Sequence, residues 1–126
     1  MEAQEYKEKL HELNNKLVQK RSEYLDAKSN VRALKKEYSY EIVKKYEQYI
    51  GKKVIIFYKN SFGQEVKTNI GYLKEFRWYD KNMYVNDGLY PFLTKPKKDG
   101  SKSNALYPEC DNTKANVIDI TRIEVL

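Results

Sequence analysis

The sequence predicts an α+β protein: a long N-terminal helix of coiled-coil type, followed by a small antiparallel β-barrel-like module. Three observations carry this. Residues 2–49 contain neither glycine nor proline and are rich in Glu, Lys, Leu and Gln, which are good helix formers. From Gly51 onward the composition turns to β-branched and aromatic residues punctuated by turn signals. The change falls at Ile50-Gly51, which divides the 126 residues into a helical oligomerisation segment (1–50) and a β module (51–126).

Within the helical segment, Ala3, Leu10, Leu17, Tyr24, Val31 and Tyr38 recur at one heptad position, and Tyr6, Leu13, Lys20, Ala27, Leu34 and Glu41 at the other. This is a coiled-coil seam with two polar interruptions, Lys20 and Glu41. A continuous helix, about 70 Å long at 1.5 Å per residue, competes with an α-hairpin turning at Asp26–Asn30. The absence of glycine there favours the continuous helix. So narrow and long a stripe exceeds what a domain of this size can cover, so Leu10, Leu13, Leu17, Tyr24, Val31, Leu34 and Tyr38 are expected to pair with another copy in a homo-oligomer. In a parallel, in-register dimer Lys20 would face Lys20 and Glu41 would face Glu41, which favours antiparallel or staggered helices. After Tyr38 the apolar line moves to Ile42, Tyr46 and Tyr49. There the helix is expected to dock on the following module.

In the β module, Lys53–Lys59 is apolar on both faces and reads as a central strand. Asn60–Gly63 reads as a turn. Glu65–Tyr79 is a long run that Gly71 allows to bend. Asp80–Asn82 then turns the chain, Met83–Val85 pairs back, and Asp87-Gly88 and Asp99-Gly100 mark further turns. All three prolines fall between 91 and 108, which assigns that stretch to edge strands or loops. At the C-terminus Ile118 and Ile120 alternate, then Ile123 and Val125 alternate on a shifted phase. The shift needs a bulge or a 3₁₀ turn around Thr121-Arg122.

Short strands, a bent second strand and a helical turn before the last strand resemble SH3-like or Sm-like small barrels over residues 51–126. Gly71, Leu73, Phe76, Asp80 and Met83 approximate the Sm pattern. The chain departs from it at Tyr84, where an Sm protein carries its nucleotide-binding asparagine, and it lacks the Arg-Gly of the second Sm motif.

The net charge is +6, of which residues 51–126 supply +4 (13 Lys/Arg against 9 Asp/Glu), so an anionic partner is favoured over a cationic one. The one cysteine, Cys110, excludes an intramolecular disulfide and a multi-cysteine zinc site. No leader-type apolar segment and no run long enough to span a bilayer occurs, so the expected setting is soluble and cytoplasmic, with no membrane partner. His11, the sole histidine, lies on the charged side of the helix, and no glycine-rich phosphate loop or calcium loop is present. The expectation is a protein without catalysis, metal or cofactor.

Eleven aromatics crowd the 76 residues of the β module. Along 70–79, Ile70, Tyr72, Phe76 and Trp78 share one face, assigned to the core, while Leu73, Glu75, Arg77 and Tyr79 share the other. Arg77 and Tyr79 then point outward together near Lys81 and Tyr84, where they can stack on a base. The alternative for these residues is cross-strand pairing of Tyr79 with Tyr84 and an ion pair of Arg77 with Glu75 or Asp80. A second cluster, Lys95, Lys97, Lys98 and Lys102, flanks Asp99-Gly100 and suits phosphate contacts. The expected function is a non-enzymatic oligomeric protein binding nucleic acid or a small nucleotide. The alternative is a protein–protein adaptor or small inhibitor that docks through the helix or the aromatic patch.

Overall fold

The computed structural model describes residues 2–83 and 85–126. It divides into two units, Met1–Leu34 and Lys35–Leu126. Helix α1 spans Ala3–Val43 and passes through Asp26–Asn30 without a break. The first unit is purely helical, and its seam side chains are open: Leu13, Leu17, Tyr24 and Leu34 each retain more than half their surface.

In the second unit the last turns of α1 bury Ser39 and Val43, and Ile42, Tyr46 and Tyr49 pack on the β core. The expected change of helical phase therefore marks a docking surface. Tyr46 donates its hydroxyl to the Ile120 carbonyl at 3.4 Å, and Tyr40 stacks on Trp78 with ring centroids 6.4 Å apart. A 3₁₀ turn, Glu47–Tyr49, leads into the sheet.

The sheet is six-stranded and antiparallel among the described residues: β1 (Lys53–Lys59), β2 (Glu65–Lys67), β3 (Gly71–Tyr79), β4 (Gly88–Pro96), β5 (Lys102–Leu106) and β6 (Ile120–Val125). A short helix α2, Glu109–Asn112, and a 3₁₀ turn, Val117–Asp119, separate β5 from β6. Central strand β1 carries β6 on one edge. On the other edge β2 pairs at Phe57–Lys59 and β3 at Lys53-Val54, in nearly continuous register. β2 and β3 are thus one strand bent at 68–70. At the bend Thr68 keeps the ladder going: its N–H donates to the Ile56 carbonyl at 2.9 Å, and its Oγ1 accepts from the Ile56 N–H at 3.1 Å. The bend precedes Gly71. The glycine is needed for close approach instead, since a Cβ there would stand 2.8 Å from the Thr94 carbonyl oxygen. Among the described residues β5 pairs only with β4 and β6 only with β1, so the ladder stays open and the expected barrel closure is not observed.

Four sequence expectations are corrected. β4, which contains Pro91 and Pro96, lies between β3 and β5 and is buried from Gly88 to Thr94. It tolerates proline because β5 pairs with it only at Thr94 and Pro96, so no ladder donor is required of Pro91 on that side. Met83 and Val85 form no strand. The Asn82 side chain instead accepts from the Val85 N–H at 3.0 Å, closing a loop, and pairing resumes at Tyr79–Gly88. Asp87-Gly88 therefore opens β4 rather than making a turn. A register shift between Leu73 and Glu75 reverses the side-chain parity of β3. Leu73 is fully buried in the core, Ile70 is exposed, and Phe76 and Trp78 join the core from beyond the bulge.

At the C-terminus the bulge form of the expectation holds, while the 3₁₀ turn falls earlier, at Val117–Asp119. Thr121 is skipped between the Phe57–Arg122 and Tyr58–Ile120 pairs, and the 3₁₀ turn lies just before the strand. This bulge turns Ile120 and Ile123 inward together, leaving Ile118 and Val125 exposed.

Gly88 sits against the Asn116 amide, so closely that no Cβ fits. That amide is fully engaged, accepting from the Ile118 N–H at 3.3 Å and donating to the Asp87 carbonyl at 3.2 Å. Gly88→Ala is expected to destabilise the chain by about 2 kcal/mol through overpacking, read as a lower midpoint at unchanged slope in urea unfolding.

Candidate functional site

Arg77 and Tyr79 emerge on the same face of β3, as their spacing requires, and both are half-buried. Their neighbours come from β4, where Tyr90 and Phe92 face them, 4 % and 3 % exposed. The Arg77 guanidinium lies 4.3 Å from the centre of the Phe92 ring. Tyr79 stacks on the same ring at 5.8 Å and 11° and meets Tyr90 edge-on at 6.1 Å. Arg77 also pairs with Glu75, which raises its pKa further. Burial, and then a hydrogen bond with Glu109 at the start of α2, raise the Tyr79 hydroxyl.

This cluster covers the second face of β4. A guanidinium with one plane on Phe92 and an edge on Glu75 has little left to offer a base. The ion pair of Arg77 with Glu75 is the structural alternative that the sequence posed. Its companion, Tyr79 against Tyr84, involves a residue outside the described set. Lys81 is exposed in the loop that follows, its N–H bonded to the Asp87 carboxylate. Arg122, the other arginine of residues 51–126, repeats the arrangement. It lies 4.1 Å over Phe57 and is paired with Glu65 and Glu124.

The second cluster behaves differently. Lys97 N–H donates to the Ser101 carbonyl and Gly100 N–H to the Lys97 carbonyl, both at 2.8 Å, closing the β4–β5 hairpin. Gly100 takes φ +86°, which favours glycine. Asp99 accepts from the Ser101 N–H at 2.9 Å and its hydroxyl at 2.6 Å, and these bonds hold its carboxyl below the usual aspartate range. The Tyr72 hydroxyl anchors the hairpin by donating to the Gly100 carbonyl at 2.9 Å.

The only acid among residues 95–102 is thus engaged within the turn, while Lys95, Lys97, Lys98 and Lys102 are exposed. Lys95 lies 5.7 Å over the Tyr107 ring. Sequence reasoning missed Lys53 on β1, whose ammonium comes beside Gly100, because only the sheet brings it there. The turn expected at Asp99-Gly100 is present, and the Asp99–Ser101 spacing is its Asx-turn signal.

The two clusters do not meet. Tyr79 stands opposite Gly88 at one end of the β3–β4 pair, whereas Tyr72 stands opposite Thr94 at the other. Lys97 is therefore roughly 30 Å along β4 from the Tyr79 position at 3.3 Å per residue. Two clefts open at the Tyr79 end. One of about 300 Å³ is bounded by Tyr79, Glu109 and Cys110. One of about 430 Å³ is bounded by Tyr58, Tyr90, Asn116 and Asp119 with Lys59 and Lys114, and there burial raises the Asp119 carboxyl. No group of three or more His, Cys, Asp or Glu placed to hold a metal occurs among the described residues. No helix among them is long and apolar enough to cross a membrane.

Two outcomes test this geometry. Arg77→Ala is expected to cost about 1 kcal/mol of stability through the lost contact with Phe92, measured by urea unfolding. In an NMR pH titration the Ser101 amide should shift with a midpoint below 3.8, the ordinary Asp99 value, and Ser101→Ala should bring the midpoint at the Asp99 carboxyl back toward it. Set against known proteins, the chain matches no family model, no curated protein and no solved structure.

Proposed function

We propose that this chain is a non-enzymatic, self-associating binding protein in which the β4–β5 hairpin presents lysines to an anionic, base-containing partner, nucleic acid or a small nucleotide. The observation that carries the reading is the hairpin itself. Four exposed lysines project from a backbone already closed by its own hydrogen bonds, and the one acid between them is occupied by Ser101. Such a turn loses little freedom when it meets a phosphate. Phosphate contacts of this kind give affinity without reading sequence. Self-association through α1 would present several hairpins together and raise avidity without new contacts. The bent second strand and the 3₁₀ turn before β6 support placing the module with SH3-like or Sm-like small barrels.

A second reading, an adaptor or small inhibitor docking another protein through α1, draws on two observations. Seam residues of α1 are open in the single chain, and Arg77 and Tyr79 are engaged by their own neighbours.

Fluorescence anisotropy with a single-stranded oligonucleotide and with a mononucleotide, across a salt series, tests the first reading. Three to four engaged phosphates predict that log K falls against log salt with a slope of about −2 to −3. Combined Lys97→Glu, Lys98→Glu and Lys102→Glu should cost at least about tenfold in affinity and flatten the slope. Arg77→Ala should leave binding unchanged. Binding indifferent to both salt and charge reversal would remove the hairpin from the function and leave the adaptor reading.

A further inference from the structure

We infer that the free seam of α1 takes a second copy of this chain in parallel, in register, over residues 2–34. This rests on the self-association proposed above and specifies its geometry. The Lys20 and Glu41 positions alone argue for antiparallel helices, but the fold removes half of that argument. Glu41, itself exposed, belongs to the second unit, beyond the helical unit that ends at Leu34 and on the turns where α1 docks through Ser39 and Val43. The seam free to pair ends before it, and Lys20 is its one polar interruption.

The charges flanking the seam then decide. With Leu10 and Leu17 at position a and Leu13 at d, position e holds Lys7, Asn14, Arg21 and Lys28, and position g holds Glu2, Lys9, Lys16, Glu23 and Asn30. Lys7, Arg21 and Lys28 have no carboxylate three or four residues away on either side. Their own helix therefore cannot neutralise them. Lys9 and Lys16, by contrast, are paired within the helix to Glu5 and Glu12, at 3.4 and 3.5 Å.

An antiparallel pair sets e against e, a row without a single acid: with Arg21 against Arg21 of the other copy, Lys7 meets Lys35 and Lys28 meets only the neutral Asn14. A parallel pair sets each g against the e five residues on in its partner. Lys7 then meets Glu2, and Lys28 meets Glu23. The one like-charged meeting, Arg21 with Lys16, is softened by the Glu12–Lys16 pair. Two of the three cations without intrahelical partners, Lys7 and Lys28, are thus complemented by the same chain, and only in the parallel arrangement.

Sedimentation equilibrium of the full chain carrying Cys110→Ser, which removes the exposed thiol, tests this with variants of opposite expected sign. Arg21→Glu should tighten the dimer about five- to tenfold by turning two repulsive meetings into attractive ones, and Lys28→Glu should weaken it by a similar factor. The exchange Glu23→Lys with Lys28→Glu should restore it. Single cysteines at positions 10 and 34 should each form like-to-like disulfides. No weakening by Lys28→Glu together with no effect of Arg21→Glu, or disulfides only in a mixture of the two cysteine chains, would overturn the parallel geometry while leaving self-association standing. A parent chain that sediments as a monomer would overturn both.

Discussion

The structure of the second unit depends on keeping β4 buried on both of its faces. Its Leu89 and Leu93 enter the core with Val54, Ile56 and Leu73, while Tyr90 and Phe92 lie on the opposite face at almost no exposure. An antiparallel sheet usually leaves that second face to solvent. Here it must be covered, and the sheet edge beside it must be satisfied. Tyr107 N–H donates to the Leu93 carbonyl at 3.1 Å, and the Asn112 side chain accepts from the Leu93 N–H at 3.3 Å. Two residues earlier on the same edge stands Pro91, which has no donor to satisfy. The segment from Tyr107 through α2 thus substitutes for a strand where β5 has turned away. A buried backbone N–H left without such a partner would cost on the order of 1–3 kcal/mol.

That requirement explains why the most suggestive residues in the sequence are engaged by their own neighbours. Arg77 and Tyr79 are drawn over Phe92 because a half-covered aromatic on a strand face is best shielded by flat, amphipathic side chains from the neighbouring strand. The same solution recurs at Phe57, shielded by Arg122. In both places the arginine is held in plane by a glutamate, and the positive charge is neutralised where it stands. At the hairpin tip the lysines are exposed and the one acid beside them is turned to Ser101 instead.

How much of this was legible follows the range of the interaction. The helix, the phase change at Ile42, the turns at Asn60 and Gly100 and the bulge at Thr121 are set by spacing or by a side chain bonding its own backbone, so the sequence shows them. The burial of Leu73 was not legible. A one-residue register shift before Glu75 reverses every side chain beyond it, and nothing in Leu73-Lys74-Glu75 announces the shift. Gly88 reads as a turn residue because its actual constraint, the Asn116 amide, lies 28 positions away. Pro91 misleads for the same reason: its tolerance depends on where β5 ends. In the candidate site, the common face of Arg77 and Tyr79 was legible by parity, but their distance from the lysines was set by strand pairing.

The helix shows the same division between local and distant causes. Up to Leu34 its apolar residues keep the heptad spacing and stay open, and from Ser39 onward the buried positions answer to the sheet. A helix cannot present one stripe to both kinds of surface, because a coiled-coil seam repeats every 3.5 residues while a straight helix turns in 3.6. The break in phase is what separates the two uses. If the leucines before it served the chain's own β unit, they would have followed the second phase, toward Ile42 and Tyr46. They follow the first, at the cost of open leucine and tyrosine surface that a single chain leaves in water. A stripe so maintained over four heptads, beside cations that its own helix leaves unanswered, is the feature on which the proposed pairing with another helix rests.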